Sequence, residues 1–351
     1  MFAVRDGADG KRYLTHASVC ACDVDLGCLG GAKSICCHVN FLTNSGARRD
    51  ISAIARRRAE PEERKEGHVV NRCAVGPGLI FLSVILLLVP AAQAQTDVLI
   101  ETELSRKDGN SPVYQRAVLL KPNGPADTAL MFFRGGHGLA RISSAADARR
   151  NLPFFVGPQR RLFSEAGIAL VVMDCPTDQW FDNSFGMDAT RCLDDYRSSA
   201  QHADDVRGII SKLRNEHGFS RIFVMGHSKG SVSSRWLAVH LGNEISGSIH
   251  TGAMTVANPK GFAQSASRIP YASVAAPILH VQHKDDSCRV TPHAGVERYA
   301  GNNLTTVRGG TPEGDPCGGG HYHSFRGREE IVARAIISWI KTGKVEPVIG
   351  E

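Results

Sequence analysis

At 351 residues, with 42% hydrophobic and 22% charged side chains, the chain has the composition of an ordinary globular protein, which excludes disordered and collagen-like classes. Its formal charge of +6 is spread thinly: residues 1–94 hold 12 basic and 9 acidic residues, and the 29 and 26 that remain nearly balance. No basic stripe is interleaved with aromatics, so no nucleic-acid partner is expected.

In chain order, the first feature is a set of five cysteines, Cys20, Cys22, Cys28, Cys36 and Cys37, followed by the charge cluster RRRAEPEERKE. None of their spacings matches a paired CxxC site and His38 stands alone, so no metal is expected. Next comes Asn71–Gln95, in which Arg72 precedes Leu79–Val89, apolar except for Ser83, and then Pro90 and the small-residue stretch AAQA. That is the layout of a signal peptide, here residues 71–94 with cleavage after Ala94. As a helix, Leu79–Val89 covers about 16 Å, roughly half a bilayer core, so no stable membrane span is expected after cleavage. Cys73 lies before the run, which argues against a lipidated terminal cysteine. A leader belongs at an N-terminus, so translation is expected to start near Val69 or Val70, with residues 1–70 a non-native or disordered extension. The expected location is secreted or periplasmic. Four cysteines follow Ala94, an even number that suits an oxidising compartment.

From Thr96 onward, β-rich runs alternate with helical patterns, as expected of a single α/β domain over 95–351 with a mostly parallel sheet covered by helices on both faces. Predicted strands are Val98–Leu104 and Tyr114–Lys121, separated by the turn material SRKDGNSP, then Ala129–Arg134, Ile168–Asp174, Arg221–Met225, Ser248–Met254 and Ile278–His283. Over His202–Asn215 the residues Val206, Ile209, Ile210 and Leu213 recur at the spacing of one helix face, and Glu329–Thr342 repeats that pattern.

The segment RIFVMGHSKGSVSS sets G-H-S-K-G between a strand and a helix, the context of a nucleophile elbow centred on Ser228. Such a turn crowds the backbone, so Gly226 and Gly230 suit positions where a Cβ would clash. A serine hydroxyl needs a histidine to take its proton and a carboxylate to hold that histidine, and both follow the nucleophile in such an order. Asp285 and Asp286 are the candidate acids, and His321 and His323 the candidate bases. FFRGGHG, directly after the third strand, offers Gly136 or His137 as one backbone donor for an oxyanion, and the amide of Lys229 offers the second. GGHGLA lacks G-x-G-x-x-G spacing, so no dinucleotide, and no cofactor of any kind, is expected.

The pieces FFRGGHG, LVVMDCPTDQ, HADDVRGIISKLR, GHSKG, HKDDSC and HYHSFRGRE, within residues 129–343, resemble the bacterial α/β-hydrolase family, including its exported members. The resemblance implies an α/β-hydrolase fold. It selects Asp286, nine residues after Pro277, as the acid, and His323, which precedes Ser324 and Phe325, as the base. Lys229 departs from the family, where smaller or less charged residues are frequent at that place. The stretch between Met254 and Pro277 is short where many relatives insert a helical cap, so an open site is expected. Given those assignments, Cys288 is expected to bond Cys317, tying the acid loop to the base loop, and Cys175 to bond Cys192. The expected reaction is hydrolysis of a small-molecule or acyl ester through an acyl-serine. Peptidase or amidase activity is the nearest alternative, a catalytically silent binding protein a more remote one, and a serine at 228 argues against dehalogenation or epoxide opening.

Overall fold

A computed structural model describes residues 3–6, 12–15, 97–153, 155–180, 192–256, 269 and 271–351. The chain divides into two compact units, Met1–Val84 and Ile85–Glu351. In the first, the described residues form an antiparallel hairpin of β1 (Ala3–Asp6) and β2 (Arg12–Thr15). The proposed leader and the stretch 257–268, where a cap would sit, lie outside the described residues.

The second unit is built on a nine-stranded sheet of β3 (Val98–Asp108), β4 (Ser111–Leu120), β5 (Thr128–Phe133), β6 (Ile168–Met173), β7 (Arg221–His227), β8 (Gly247–Thr251), β9 (Ile278–His283), β10 (Leu304–Val307) and β11 (Val348–Ile349). Their spatial order is β11-β10-β9-β8-β7-β5-β6-β4-β3. Only β4 runs against its neighbours, pairing antiparallel with both β3 and β6. The helices are α1 (Ala148–Asn151), α2 (Arg160–Glu165), α3 (Asp194–Arg197), α4 (Ala200–Asn215), α5 (Gly230–Leu241), α6 (His293–Ala300) and α7 (Glu329–Thr342).

Strand alternation splits the core in two. Along β5, Leu130 and Phe132 join a cluster with Phe163 of α2 and Val332, Ile336 and Trp339 of α7. Ala129, Met131 and Phe133 point the other way, into a cluster with Val206, Ile209, Ile210 and Leu213 of α4 and Leu237 of α5. All six β5 residues are buried, as a central parallel strand covered on both faces requires. Each fully buried apolar side chain on α4 contributes roughly 1.5–3 kcal/mol before entropy is counted. Ser199 caps α4 by accepting the His202 amide at 3.1 Å, and Gly343, at φ +71°, ends α7.

Three sequence expectations are corrected. The opening hairpin is tighter than SRKDGNSP suggests: Asp108 pairs with Ser111, and only Gly109 and Asn110 turn, because Gly109 at φ +57° permits a two-residue connection. β8 stops at Thr251 rather than Met254. The short strands β10 and β11, toward one edge of the sheet, carry too few alternating residues to stand out in the sequence.

Candidate active site

The site sits where β5, β7, β8 and β9 end. β7 runs straight into α5 through Ser228, whose φ of +55° is the left-handed region that non-glycine residues rarely occupy. Close packing holds this turn: a Cβ on Gly226 would lie 2.1 Å from the carbonyl oxygen of Gly230, and one on Gly230 would lie 2.0 Å from that of Phe133. The Ser228 amide donates to the Thr251 carbonyl at 3.0 Å, fastening the elbow to β8.

Ser228 and His323 line one cleft of about 260 Å³, together with Gly135, Gly136 and His227. His323 begins no long element; it lies in a short 3-10 turn, Tyr322–Ser324, which ends at Phe325 with φ +61°. Phe325 is fully buried and packs edge-on against Phe155, ring centres 5.1 Å apart, so core packing holds a backbone conformation that costs of order 1–3 kcal/mol. His323 Nδ1 lies 3.1 Å from Asp286 Oδ2, and both side chains are almost wholly buried. No hydrogen bond joins Ser228 Oγ to His323 among the described residues; in unliganded sites such bonds are often long.

Asp286 is held from three sides. Gln282 Nε2 donates to Oδ2 at 2.9 Å, Thr291 Oγ1 donates to Oδ2 at 2.8 Å, and the Cys288 amide donates to Oδ1 at 3.0 Å. Thr291 Oγ1 also lies 3.1 Å from His323 Nδ1, and Gln282 Oε1 accepts the Ala253 amide at 2.9 Å. Sequence reading missed Gln282 and Thr291; the available signal was that Gln282 is a polar residue in a strand expected to be buried. The ring of His227 lies tilted against that of His323, with ring centres 4.8 Å apart. Burial, and then the proximity of His323, hold His227 well below the usual histidine range, so it stays neutral.

Asp285 is exposed and its amide donates to His283 Nδ1 at 3.0 Å, so it stands apart from His323. His321 is half-buried and is not among the residues that line the cleft. Gly136 lines the cleft, whereas His137 lies outside it and is exposed. The Lys229 ammonium is buried against Asp194, with Nζ 3.3 Å from Oδ1, so this departure from the family pattern points away from the cleft and is neutralised. Burial raises the pKa of Asp194, and Lys229 opposes that shift. Cys175 lies at disulfide distance from Cys192, and Cys288 from Cys317, with sulfurs 2.00 and 2.02 Å apart. No group of residues that could hold a metal occurs among those described.

The sequence matches no family model and no curated protein. Among solved structures it is similar to an α/β serine hydrolase without a lid from Xanthomonas campestris, at 16% identity over 70% of this chain and 93% of that one, TM-score 0.41. It is also similar to Est1E from Butyrivibrio proteoclasticus, at 14% identity over 70% and 98%, TM-score 0.43. A third is a soluble variant of the monoglyceride lipase of Saccharomyces cerevisiae, at 12% identity over 73% and 97%, TM-score 0.47. Likenesses this distant say nothing of chemistry, and the fold rests on its own topology. With one antiparallel strand second from its edge, a parallel remainder and a strand–elbow–helix at Ser228, this chain has the α/β-hydrolase fold.

Proposed function

We propose that the protein is a serine hydrolase that cleaves carboxylic esters through an acyl-serine intermediate, with Ser228, His323 and Asp286 as its triad. The observation that carries this reading is a left-handed serine sharing a cleft with an imidazole that is bonded to a buried carboxylate. In the first step His323 Nε2 takes the proton from Ser228 Oγ as that oxygen attacks the ester carbonyl. Asp286 accepts a hydrogen bond from Nδ1–H of His323 and stabilises the imidazolium. The resulting oxyanion accepts hydrogen bonds from the Lys229 amide and from that of Gly136 or His137. His323 then gives its proton to the leaving alcohol, and water repeats the sequence to release the acid.

Lys229 is suited to this role through its backbone, since it stands between the nucleophile and the start of α5, where peptide dipoles favour a negative charge. Export through the segment 71–94 is part of the same proposal, supported by cysteine pairs that need an oxidising compartment. The experiment is labelling by a fluorophosphonate probe, followed by a panel of chromogenic esters of increasing acyl length beside aminoacyl amides. Labelling at Ser228 with ester turnover is expected. Folded protein with an inert Ser228 would instead indicate a binding protein, and turnover of amides over esters an amidase.

A further inference from the structure

The wall of the cleft beside Ser228 is cationic. Arg134 leaves the end of β5 directly before Gly135 and Gly136, is half-buried, and lines the same cleft as Ser228. Its Nη1 donates to the Leu139 carbonyl at 3.0 Å and to Asn151 Oδ1 at 2.6 Å. Asn151 is itself buried and donates to the carbonyls of Ala140 and Asp147 at 3.1 and 2.8 Å, so the guanidinium is held in one place. Among the described residues, Nε and Nη2 of Arg134 have no acceptor, and neither is sealed from solvent.

None of the described lining residues is Asp or Glu. Asp174, outside the cleft lining, partly offsets the charge of Arg134, but it already receives the amides of Ala140, Ile142 and Cys175 at 2.9, 2.7 and 2.8 Å. Asp147 is paired with Arg150, the other cation on the cleft wall. His137, just outside the cleft, has its pKa lowered, first by the partial burial of its ring and then by neighbouring cations, of which Arg134 is the foremost. Burial also disfavours the charge of Arg134 itself, a cost that an anion in the cleft would relieve.

From this geometry we infer that Arg134 selects esters carrying a free carboxylate away from the scissile bond, bound side-on through Nε–H and Nη2–H. A guanidinium edge matches a carboxylate in two parallel hydrogen bonds, which an ammonium cannot reproduce. The inference rests on the esterase reading and assigns that site its substrate class.

Two matched pairs test it. Mono-para-nitrophenyl adipate and para-nitrophenyl hexanoate differ only in a carboxylate at the acyl end, and para-acetoxybenzoate and its methyl ester differ only in one on the alcohol side. In at least one pair the anionic member is expected to have kcat/KM higher by about tenfold, carried by KM and shrinking as salt rises. The ratio within a pair, measured on one preparation, does not depend on the folded fraction. It is expected to fall to about unity in Arg134→Gln and to keep an intermediate value in Arg134→Lys. Neutral members that match or exceed the anionic ones in both pairs, or a preference that survives Arg134→Gln, would overturn the inference. Should wild type cleave none of the four esters and resist the fluorophosphonate, the esterase reading fails instead. Turnover of the neutral esters without preference leaves that reading standing and removes only this one.

Discussion

At the scale of single residues, the proposed roles divide neighbours that the sequence alone leaves equivalent. Ser228→Ala or His323→Ala is expected to lower kcat on an activated ester by about 10⁴ to 10⁶, and Asp286→Asn to be severe but milder. His321→Ala, altering a side chain off the cleft wall, is expected to cost less than about tenfold. A dead His321→Ala beside an active His323→Ala would reverse the choice of base. The bonds around Asp286 add a finer test. Thr291→Val removes a hydroxyl 2.8 Å from the carboxylate and 3.1 Å from the imidazole, so a loss in kcat of about tenfold with little change in KM is expected. A wild-type kcat in folded Thr291→Val would mean that Gln282 and the Cys288 amide orient Asp286 without it.

At the scale of elements, the site depends on loops rather than on helices and strands alone. As disulfides, Cys288–Cys317 and Cys175–Cys192, with 29 and 17 residues of separation, would each contribute about 3–4 kcal/mol in a chain-entropy account. Bonded, the first pair would join the loop of Asp286 to the loop of His323. The second anchors the chain just before α3, where the Cys192 amide donates to the His137 carbonyl at 3.3 Å and Arg197 Nε donates to the Cys192 carbonyl at 3.3 Å. Peptide mapping under non-reducing conditions is expected to yield these two linked peptides, and a Cys175–Cys288 peptide would refute the pairing. Residues 95–351 made in a reducing cytosol should be less soluble or less active than the same chain made in the periplasm; equal yield and activity would count against structural disulfides.

At the scale of the whole molecule, buried histidines bear on stability in acid. Burial is the leading cause that pushes His202 and His280 down to about 3, and that holds His227 and His250 well below the ordinary value of 6.5. Below that value the unfolded chain takes up protons that the folded chain refuses, so stability falls as pH falls, on the order of 1 kcal/mol per pH unit for each such histidine. Thermal melts between pH 7 and 5 should show a steep loss that His280→Gln makes shallower; an unchanged slope in that variant would remove His280 from the account. The sequence by itself determined the alternation of strands and helices, the elbow at Ser228 and both predicted helix faces, because apolar period and glycine placement are local properties. Ile278–His283 and Glu329–Thr342 carry the same limits in sequence and structure. Tertiary structure alone decided what depends on approach between distant segments. Only folding brings Asp286 to His323 across 37 residues of chain, turns Lys229 toward Asp194, and leaves Arg134 on a cleft wall whose described residues include no acid. These are relations between loop ends on neighbouring strands, and a one-dimensional pattern has no period that records them.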